Sequence, residues 1–202
     1  MKKVSKINIG DLLKDPNKAK EVLTRAIDNG NKELAEMLIP IAKDPYLTYS
    51  YAYLINKPVK DEWEDIIAKN SFYSYQYALD ILQGPFPKGE NAIATDAEYS
   101  YRYALNILHK PWPKGEDAIA KNSFYSYHYA KDVLHKPFPK GEDAISKNDY
   151  YSYEYAKFIL NDRFIKGEKT IIDSEWLNDY IRFLKEINKL DEFLKDHPEV
   201  EL

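Results

Sequence analysis

Residues 119–144 read IAKNSFYSYHYAKDVLHKPFPKGEDA, and residues 93–118 read IATDAEYSYRYALNILHKPWPKGEDA. These near copies belong to a series of 26-residue segments that begin at Ile41, Ile67, Ile93, Ile119 and Ile145. Self-similarity at a fixed short period is typical of repeat proteins, in which each copy buries its apolar side against its neighbours. The sequence therefore predicts a tandem array and not a single globular core.

The first half of each copy, such as FYSYQYALDIL at residues 72–82, is compatible with two secondary structures. Its Tyr-Ser-Tyr-x-Tyr stretch alternates with the period of a strand. The segment is long for a strand, however, and Asp80 in its second half is disfavoured there. Phe72, Tyr75, Leu79 and Leu82 recur at helical spacing, and so do Tyr73, Tyr77 and Ile81, which predicts a helix with two apolar sides. The predicted caps are Asn70, Asn122 and Asn148 at the start and Gly84 at the end.

The second half of each copy contains a turn and a short segment. Residues 85–90 read PFPKGE, and the prolines prevent the helix from continuing. The acidic residue after the glycine would lie in the first turn of a short helix, where it complements the helix dipole. These acids are Glu90, Glu116, Glu142 and Glu168. Each repeat is thus predicted to consist of a three-turn helix, a rigid turn and a short helix.

The predicted fold is an all-α, right-handed α-solenoid of short two-helix repeats with helical caps at both ends. Residues 1–40 would form the N-terminal cap, with one helix starting at Asp15-Pro16 and, after Asn29-Gly30, a second at Lys32. About five repeats would occupy residues 41–172. One C-terminal helix would fill residues 173–202, capped by Ser174 and ended by His197-Pro198, and the whole would be a single continuous domain.

Composition restricts the expected environment and partners. The chain has no cysteine, which fits a reducing cytosol. Its start, MKKVSKINIG, lacks the apolar core of a signal peptide. No run approaches the ~18 consecutive apolar residues of a membrane span. We therefore expect a cytoplasmic protein without a membrane partner. The net charge of −4 argues against a general phosphate binder.

One repeat motif resembles a known pattern. Residues 129–134 (YAKDVL), followed by residues 138–142 (FPKGE), are similar to a tandem repeat of uncharacterised phage and bacterial proteins, and the similarity covers residues 41–172. The two-helix plan also resembles leucine-rich-repeat-variant solenoids, which have a slightly shorter unit. These resemblances imply an all-helical solenoid of viral or bacterial origin, and a phage-encoded chain would act in the host cytoplasm. They bring no established activity and no catalytic residues.

The 18 tyrosines stand mostly at fixed offsets in the repeats. Tyr75, Tyr101, Tyr127 and Tyr153 share one offset, and Tyr77, Tyr103, Tyr129 and Tyr155 share another. We interpret them as rings packed between adjacent helices, with hydroxyl groups that reach polar partners on a neighbouring repeat. The alternative is an exposed set that stacks on bases or forms a protein hot spot.

The residue between these two tyrosines varies from copy to copy. It is Ser50, Gln76, Arg102, His128 and Glu154 in succession, although its neighbours are nearly fixed. An exposed position that drifts without function explains the variation. The alternative hypothesis is a recognition surface on which each repeat contributes one specific residue.

The turns offer a second surface, with basic residues next to aromatic ones. Lys88, Lys114, Lys140 and Lys166 share one offset, and Phe86, Trp112, Phe138 and Phe164 share another. This combination is typical of nucleic-acid backbone binding. The nearby acids would largely cancel the positive field, and the aromatic residues also fit a role in filling the groove between repeats.

No catalytic motif is found, and no cofactor or metal ion is expected. His109 and His135 occupy one offset, without a third ligand for a metal ion. The leading hypothesis is a non-enzymatic solenoid that binds another protein and, if it is phage-encoded, inhibits or sequesters a host defence protein. The expected contacts are Gln76, Arg102, His128, Glu154, Trp112, Lys114 and Lys140. The alternative is nucleic-acid binding along the turns. End-to-end self-association is disfavoured by the polar caps.

Overall fold

The computed structural model describes residue 10 and residues 14–201, and these residues form helices and turns without a strand. The structure divides into two compact units, Met1–Ile93 and Ala94–Leu202. Within each unit, the long helix of one repeat contacts the long helix of the next, and the short helix contacts the turn of the next repeat or the short helix that follows it. The predicted all-α class and the two-helix repeat are confirmed.

The first unit contains the N-terminal cap and two repeats. Its cap helices are Pro16–Asp28 and Lys32–Ala42, as predicted, while residues 1–9 and 11–13 of the predicted cap lie outside the described residues. The first repeat contains helices Pro45–Ile55 and Asp61–Ile67. The second contains Ser71–Gln76, which continues as Tyr77–Leu82, and then the turn Pro87–Gly89, which leads into Glu90–Ile93.

The second unit repeats this plan. Its long helices are Ala97–Tyr103 with Ala104–Leu108, Ser123–His128 with Tyr129–Leu134, and Asp149–Tyr155 with Ala156–Leu160. Its short helices are Glu116–Ile119, Glu142–Ile145 and Ile165–Ile172, and the first two follow the 3-10 turns Pro113–Gly115 and Pro139–Gly141. The turn at residues 163–168 reads RFIKGE and lacks both prolines. Its short helix, Ile165–Ile172, is accordingly the longest of the three.

The long helices begin as predicted and end differently. Asn70 Oδ1 accepts a hydrogen bond from the Tyr73 amide at 3.0 Å, and Asn122 and Asn148 cap their helices in the same way. The second half of the long helix is a π-helix in the second to fifth repeats, which the sequence pattern did not predict, whereas Pro45–Ile55 of the first repeat is α-helical throughout. The left-handed residue at the end is Gln83 (φ 49°) and not Gly84, because the π-turn closes with the Gln83 and Gly84 amides both directed at the Ala78 carbonyl.

The predicted apolar stripes were partly wrong. Ser74, Tyr75, Tyr77 and Ala78 are buried, whereas Phe72 is 39% exposed and Leu79 is 37% exposed. The buried side is the one covered by the neighbouring long helix and by the turn of the same repeat. The side that carries Phe72 and Leu79 has less cover and faces solvent.

A close approach between the long helix and the turn explains the Ser and the Gly that recur in the second to fifth repeats. Phe86 is buried and packs edge-on against Tyr77, with ring centroids 5.0 Å apart. Ser74 is fully buried, and its hydroxyl donates to the Ile67 carbonyl at 3.1 Å. A Cβ atom at Gly89 would lie 2.4 Å from the Phe86 ring and 2.7 Å from Ser74 Cβ. Only a glycine fits at this contact.

Within the second unit, tyrosine hydroxyls join successive repeats to the preceding turn. The Tyr129 hydroxyl accepts a hydrogen bond from the Trp112 amide at 2.8 Å and donates to Glu116 at 3.2 Å. Tyr155 makes the same two bonds to Phe138 and Glu142. Burial raises the pKa of Tyr129 to about 12, so its hydroxyl remains a donor at neutral pH. The interpretation of these tyrosines as core residues is confirmed.

We expect Tyr129→Phe to lower the free energy of unfolding by about 1–3 kcal/mol, because the buried Trp112 amide loses its acceptor. The matched control is Tyr150→Phe in the same unit, since Tyr150 is 38% exposed and water can replace its hydroxyl. Urea denaturation followed by circular dichroism measures both changes. Equal stability of the two variants would show that the hydroxyl bridge contributes nothing.

The C-terminal cap consists of two helices, so the single predicted helix was wrong. Leu177–Glu186 ends before Asn188, which is left-handed (φ 59°), and Leu190–Asp196 follows. The Ser174 hydroxyl accepts from the Trp176 amide at 3.1 Å, near the predicted cap. Tyr180 keeps the role of the repeat tyrosine, because its hydroxyl contacts the Phe164 amide and Glu168.

Glu168 is the centre of a buried polar cluster in this cap. Its side chain is 0% exposed and accepts hydrogen bonds from Arg163 Nε and Nη2, both at 2.8 Å. The Tyr180 hydroxyl donates at 2.9 Å, and His197 Nε2 lies 3.0 Å away. Burial by itself raises the pKa of Glu168, but the bonds from Arg163, His197 and Tyr180 outweigh it and hold the pKa below its usual range.

Candidate protein-binding face

The solvent side of the long helices carries an unusual number of large apolar side chains. Ten large hydrophobic residues are exposed in the described part of the chain, and eight of them lie here. These eight are Tyr46, Tyr53, Leu54, Phe72 and Leu79 in the first unit, and Phe124, Tyr150 and Phe158 in the second. In each unit we call this side of the long helices, together with the polar residues between the exposed apolar ones, the outer face of that unit. Exposed apolar residues concentrated on one side of a unit mark a candidate interaction site.

The variable residues predicted as contacts lie on this outer face. His128 follows Phe124 by four residues and Glu154 follows Tyr150 by four, which is the spacing of one helix side. The Phe124 and His128 rings are in contact, with centroids 4.3 Å apart. The structure therefore brings the variable position together with exposed aromatic residues.

The variable side chains from the second repeat onward are also held by polar partners. Gln76 Nε2 donates to Asp80 at 3.3 Å, and Arg102 Nε lies 2.9 Å from Glu98. His128 Nδ1 lies 3.0 Å from Asp132 Oδ2. The remaining contact joins two repeats, because Glu154 accepts from the Tyr127 hydroxyl at 2.9 Å. The variable residues thus present oriented polar groups.

Lateral hydrogen bonds also position the Asp132 carboxylate on this face. The Tyr101 hydroxyl donates to Asp132 at 2.8 Å, and Tyr49 donates to Asp80 at 2.7 Å at the same offset in the first unit. Burial and the nearby carboxylates raise the pKa of Tyr101 and Tyr49 well above the usual range, so both hydroxyls stay protonated. The carboxylates are therefore satisfied from within the protein.

Sequence reasoning missed the exposed aromatic residues of the outer face. Phe124, Tyr150 and Phe158 were not among the predicted contacts. Phe124 and Tyr150 share an offset with Phe72, which had been assigned to a buried stripe. The available signal was the recurrence of an aromatic residue four positions before the variable one. Trp176 extends the series and contacts Tyr150, with ring centroids 5.0 Å apart.

The structure corrects the prediction for Trp112. Its side chain is only 7% exposed, and its ring lies against Tyr103 with centroids 4.9 Å apart. A Cβ atom at Gly115 would lie 2.5 Å from the Trp112 ring, which shows how closely the turn encloses it. Trp112 belongs to the core of its repeat, because the turn folds the aromatic residue inward, and its ring does not reach the surface.

The lysines of the turns pair with acids of the preceding repeat. Lys140 lies 2.7 Å from Asp117 and 3.9 Å from Glu116. Lys166 pairs with Asp143 and Glu142 in the same way, and Lys88 pairs with Asp61, Glu64 and Asp65. Lys114 stands at the same offset and is exposed. The predicted cancellation of the positive field along the turns is therefore observed at Lys88, Lys140 and Lys166.

His109 and His135 are exposed at the C-terminal ends of their long helices, where the sequence placed them. Both are the left-handed residues that follow the π-turns, with φ of 51° and 52°. Among the described residues, no three His, Asp or Glu side chains are grouped to hold a metal ion. None of the described helices is long and apolar enough to cross a bilayer.

Comparison with known proteins gives no match: neither a protein-family model, nor a curated protein, nor a solved structure matches this chain. The resemblance to phage and bacterial tandem repeats stays a prediction.

Proposed function

We propose that this chain is a non-enzymatic helical-repeat protein that binds another protein through the outer face of its long helices. The observation that supports this proposal is the concentration of exposed aromatic and aliphatic residues at repeated positions of one helix side. Protein interfaces are enriched in aromatic residues and Arg, which act as anchors. The outer face offers Phe124, Tyr150 and Phe158 as anchors in the second unit.

The variable residues would supply the specificity of this interface. Gln76, Arg102, His128 and Glu154 differ in size and charge, and each already has an intramolecular partner that orients it. Oriented side chains lose little conformational entropy when a partner binds. The bound chain would sterically cover the partner's own interaction surface, without any chemical step.

The biological role we propose is inhibition or sequestration of a host protein by a phage-encoded chain. It rests on the predicted resemblance of residues 41–172 to phage and bacterial repeats. Nucleic-acid binding along the turns has less support, because Lys140 and Lys166 are each paired with two carboxylates of the preceding repeat. A backbone phosphate would have to compete with these carboxylates.

Affinity capture from the extract of the native host tests the proposal. We expect the double variant Phe124→Ser and Tyr150→Ser to bind the captured protein at least tenfold more weakly than the unaltered chain, because hot-spot aromatics contribute about 2 kcal/mol or more each. The matched control is Asp117→Ser with Asp143→Ser, two exposed residues on the short helices. Thermal melts verify that both variants fold.

The outcome that contradicts the proposal is equal binding by the outer-face variant, or loss only in the short-helix control. A salt titration of the captured complex separates the two partner classes. A shallow dependence of log affinity on log salt supports a protein, whereas a steep linear fall indicates phosphate contacts.

A further inference from the structure

Phe158 is the most exposed aromatic residue of the second unit, and two lysines flank it. Its side chain is 56% exposed on the outer face. The Lys131 ammonium lies 5.8 Å from the Phe158 ring centroid, and the Lys157 ammonium lies 5.4 Å from it. The two lysines share one offset in adjacent repeats. We call these three residues the Lys–Phe patch.

Aromatic rings also hold the lysine stems in place. Lys131 lies over the Tyr127 ring at 5.4 Å, and Lys157 lies over the Tyr153 ring at 5.3 Å and donates to the Tyr153 hydroxyl at 2.9 Å. Cation–π contacts of this kind orient an ammonium group without neutralising its charge. The patch therefore presents two oriented positive charges beside an exposed ring.

Two acids near the patch have hydrogen-bond partners of their own. Asp132, next to Lys131, accepts from Tyr101 and faces His128, and Glu154 accepts from Tyr127. Glu154 and Glu186 both interact favourably with the Lys157 charge. Even so, no carboxylate of the described residues lies within ion-pair distance of Lys131 or Lys157. Lys140 and Lys166 of the turns, in contrast, each form ion pairs with two carboxylates.

We propose that the Lys–Phe patch binds an acidic segment of a partner protein, in which an aspartate or glutamate stands beside an aromatic or aliphatic side chain. The apolar side chain would cover Phe158, and the carboxylate would pair with Lys131 and Lys157. This inference rests on the proposed function, and the charge complementarity specifies the chemistry of the partner segment. A nucleic-acid strand fits less well than a single carboxylate between the two lysines, because a continuous polyanion would also have to pass the negative charges of Asp132 and Glu154 on the same face.

The test uses the full chain and a displayed library of random short peptides. We expect the enriched peptides to contain Asp or Glu next to an aromatic or aliphatic residue. Binding of an enriched peptide should weaken about tenfold in Lys131→Glu with Lys157→Glu, and less in Lys131→Gln with Lys157→Gln. The matched control is Lys121→Glu with Lys147→Glu, which changes the net charge equally at exposed lysines outside the patch.

Each outcome has a distinct meaning. Weaker peptide binding in both lysine-patch variants, with unchanged peptide binding in the control variant, supports the proposal. The proposal is overturned if no peptide is enriched, if the enriched peptides lack Asp and Glu, or if the patch and control variants bind the peptide equally. If Phe158→Ser abolishes binding while the lysine variants retain it, the acidic partner is wrong and the outer-face function stands. If oligothymidylate binds through the lysines and the peptides do not, both the acidic segment and the protein partner at this patch are wrong.

Discussion

Arg163→Ala is expected to lower the free energy of unfolding by about 3–5 kcal/mol, the largest effect of any single change considered for this chain. The Arg163 side chain is 7% exposed and forms two hydrogen bonds to Glu168, which is fully buried. Removing the guanidinium leaves a buried carboxylate with only Tyr180 and His197 as partners. A second ion pair to Asp196, at 2.9 Å, is lost as well.

The control for this variant is Arg182→Ala in the same cap. Arg182 pairs with Asp179 at 3.1 Å, but its side chain is 71% exposed, and exposed ion pairs contribute little to stability. We expect urea denaturation to show a large decrease for Arg163→Ala and almost none for Arg182→Ala. Adding Glu168→Gln to Arg163→Ala should restore part of the loss, because the uncompensated charge is removed. Similar stability of the two arginine variants would contradict the role assigned to this cluster.

The second large effect is expected for Gly89→Ala, which should lower the free energy of unfolding by about 1–3 kcal/mol. The new methyl group would lie 2.4 Å from the Phe86 ring and 2.7 Å from Ser74 Cβ, which is closer than carbon atoms approach in folded proteins. Both neighbours are buried, so neither has free space into which it moves. The turn must therefore shift away from the long helix.

Gly84→Ala is a matched control, five residues earlier in the same loop. A Cβ atom at Gly84 would meet only the Leu82 carbonyl oxygen, at 3.7 Å, and the residue has no positive φ. This substitution should leave stability unchanged or raise it by about 0.4–1 kcal/mol through the unfolded state. If urea midpoints show Gly89→Ala to be as stable as Gly84→Ala, the close contact between turn and long helix does not determine the glycine.

The sequence predicted what depends on local patterns. Asn70 and its equivalents cap the long helices, and acids such as Glu116 begin the short helices. These features follow from the chemistry of a few adjacent residues, and the same residues recur in several repeats. The helical interpretation of Tyr-Ser-Tyr-x-Tyr was correct for the same reason.

The features that the sequence did not predict depend on which neighbour covers each side chain. Phe72 and Leu79 have helical spacing with Tyr75, yet they are exposed, because the adjacent helix covers only part of the surface. Trp112 was predicted as a partner contact, yet the turn encloses it, in agreement with the alternative that the turn aromatics fill a groove. Tyr180 makes the same hydrogen bonds as the repeat tyrosines. The 26-residue offset from Tyr155 falls on Ile181, one residue later, so the repeat pattern did not identify Tyr180.

Site-specific photo-crosslinking in the native host tests the central claim most directly. A benzophenone amino acid would replace Phe124 or Phe158 on the outer face and, as the matched control, Asp117 or Asp143 on the short helices. We predict one covalent protein adduct of the same mass from both outer-face positions and none from the control positions. Adducts formed only from the short helices, or equally from all four positions, would contradict the account.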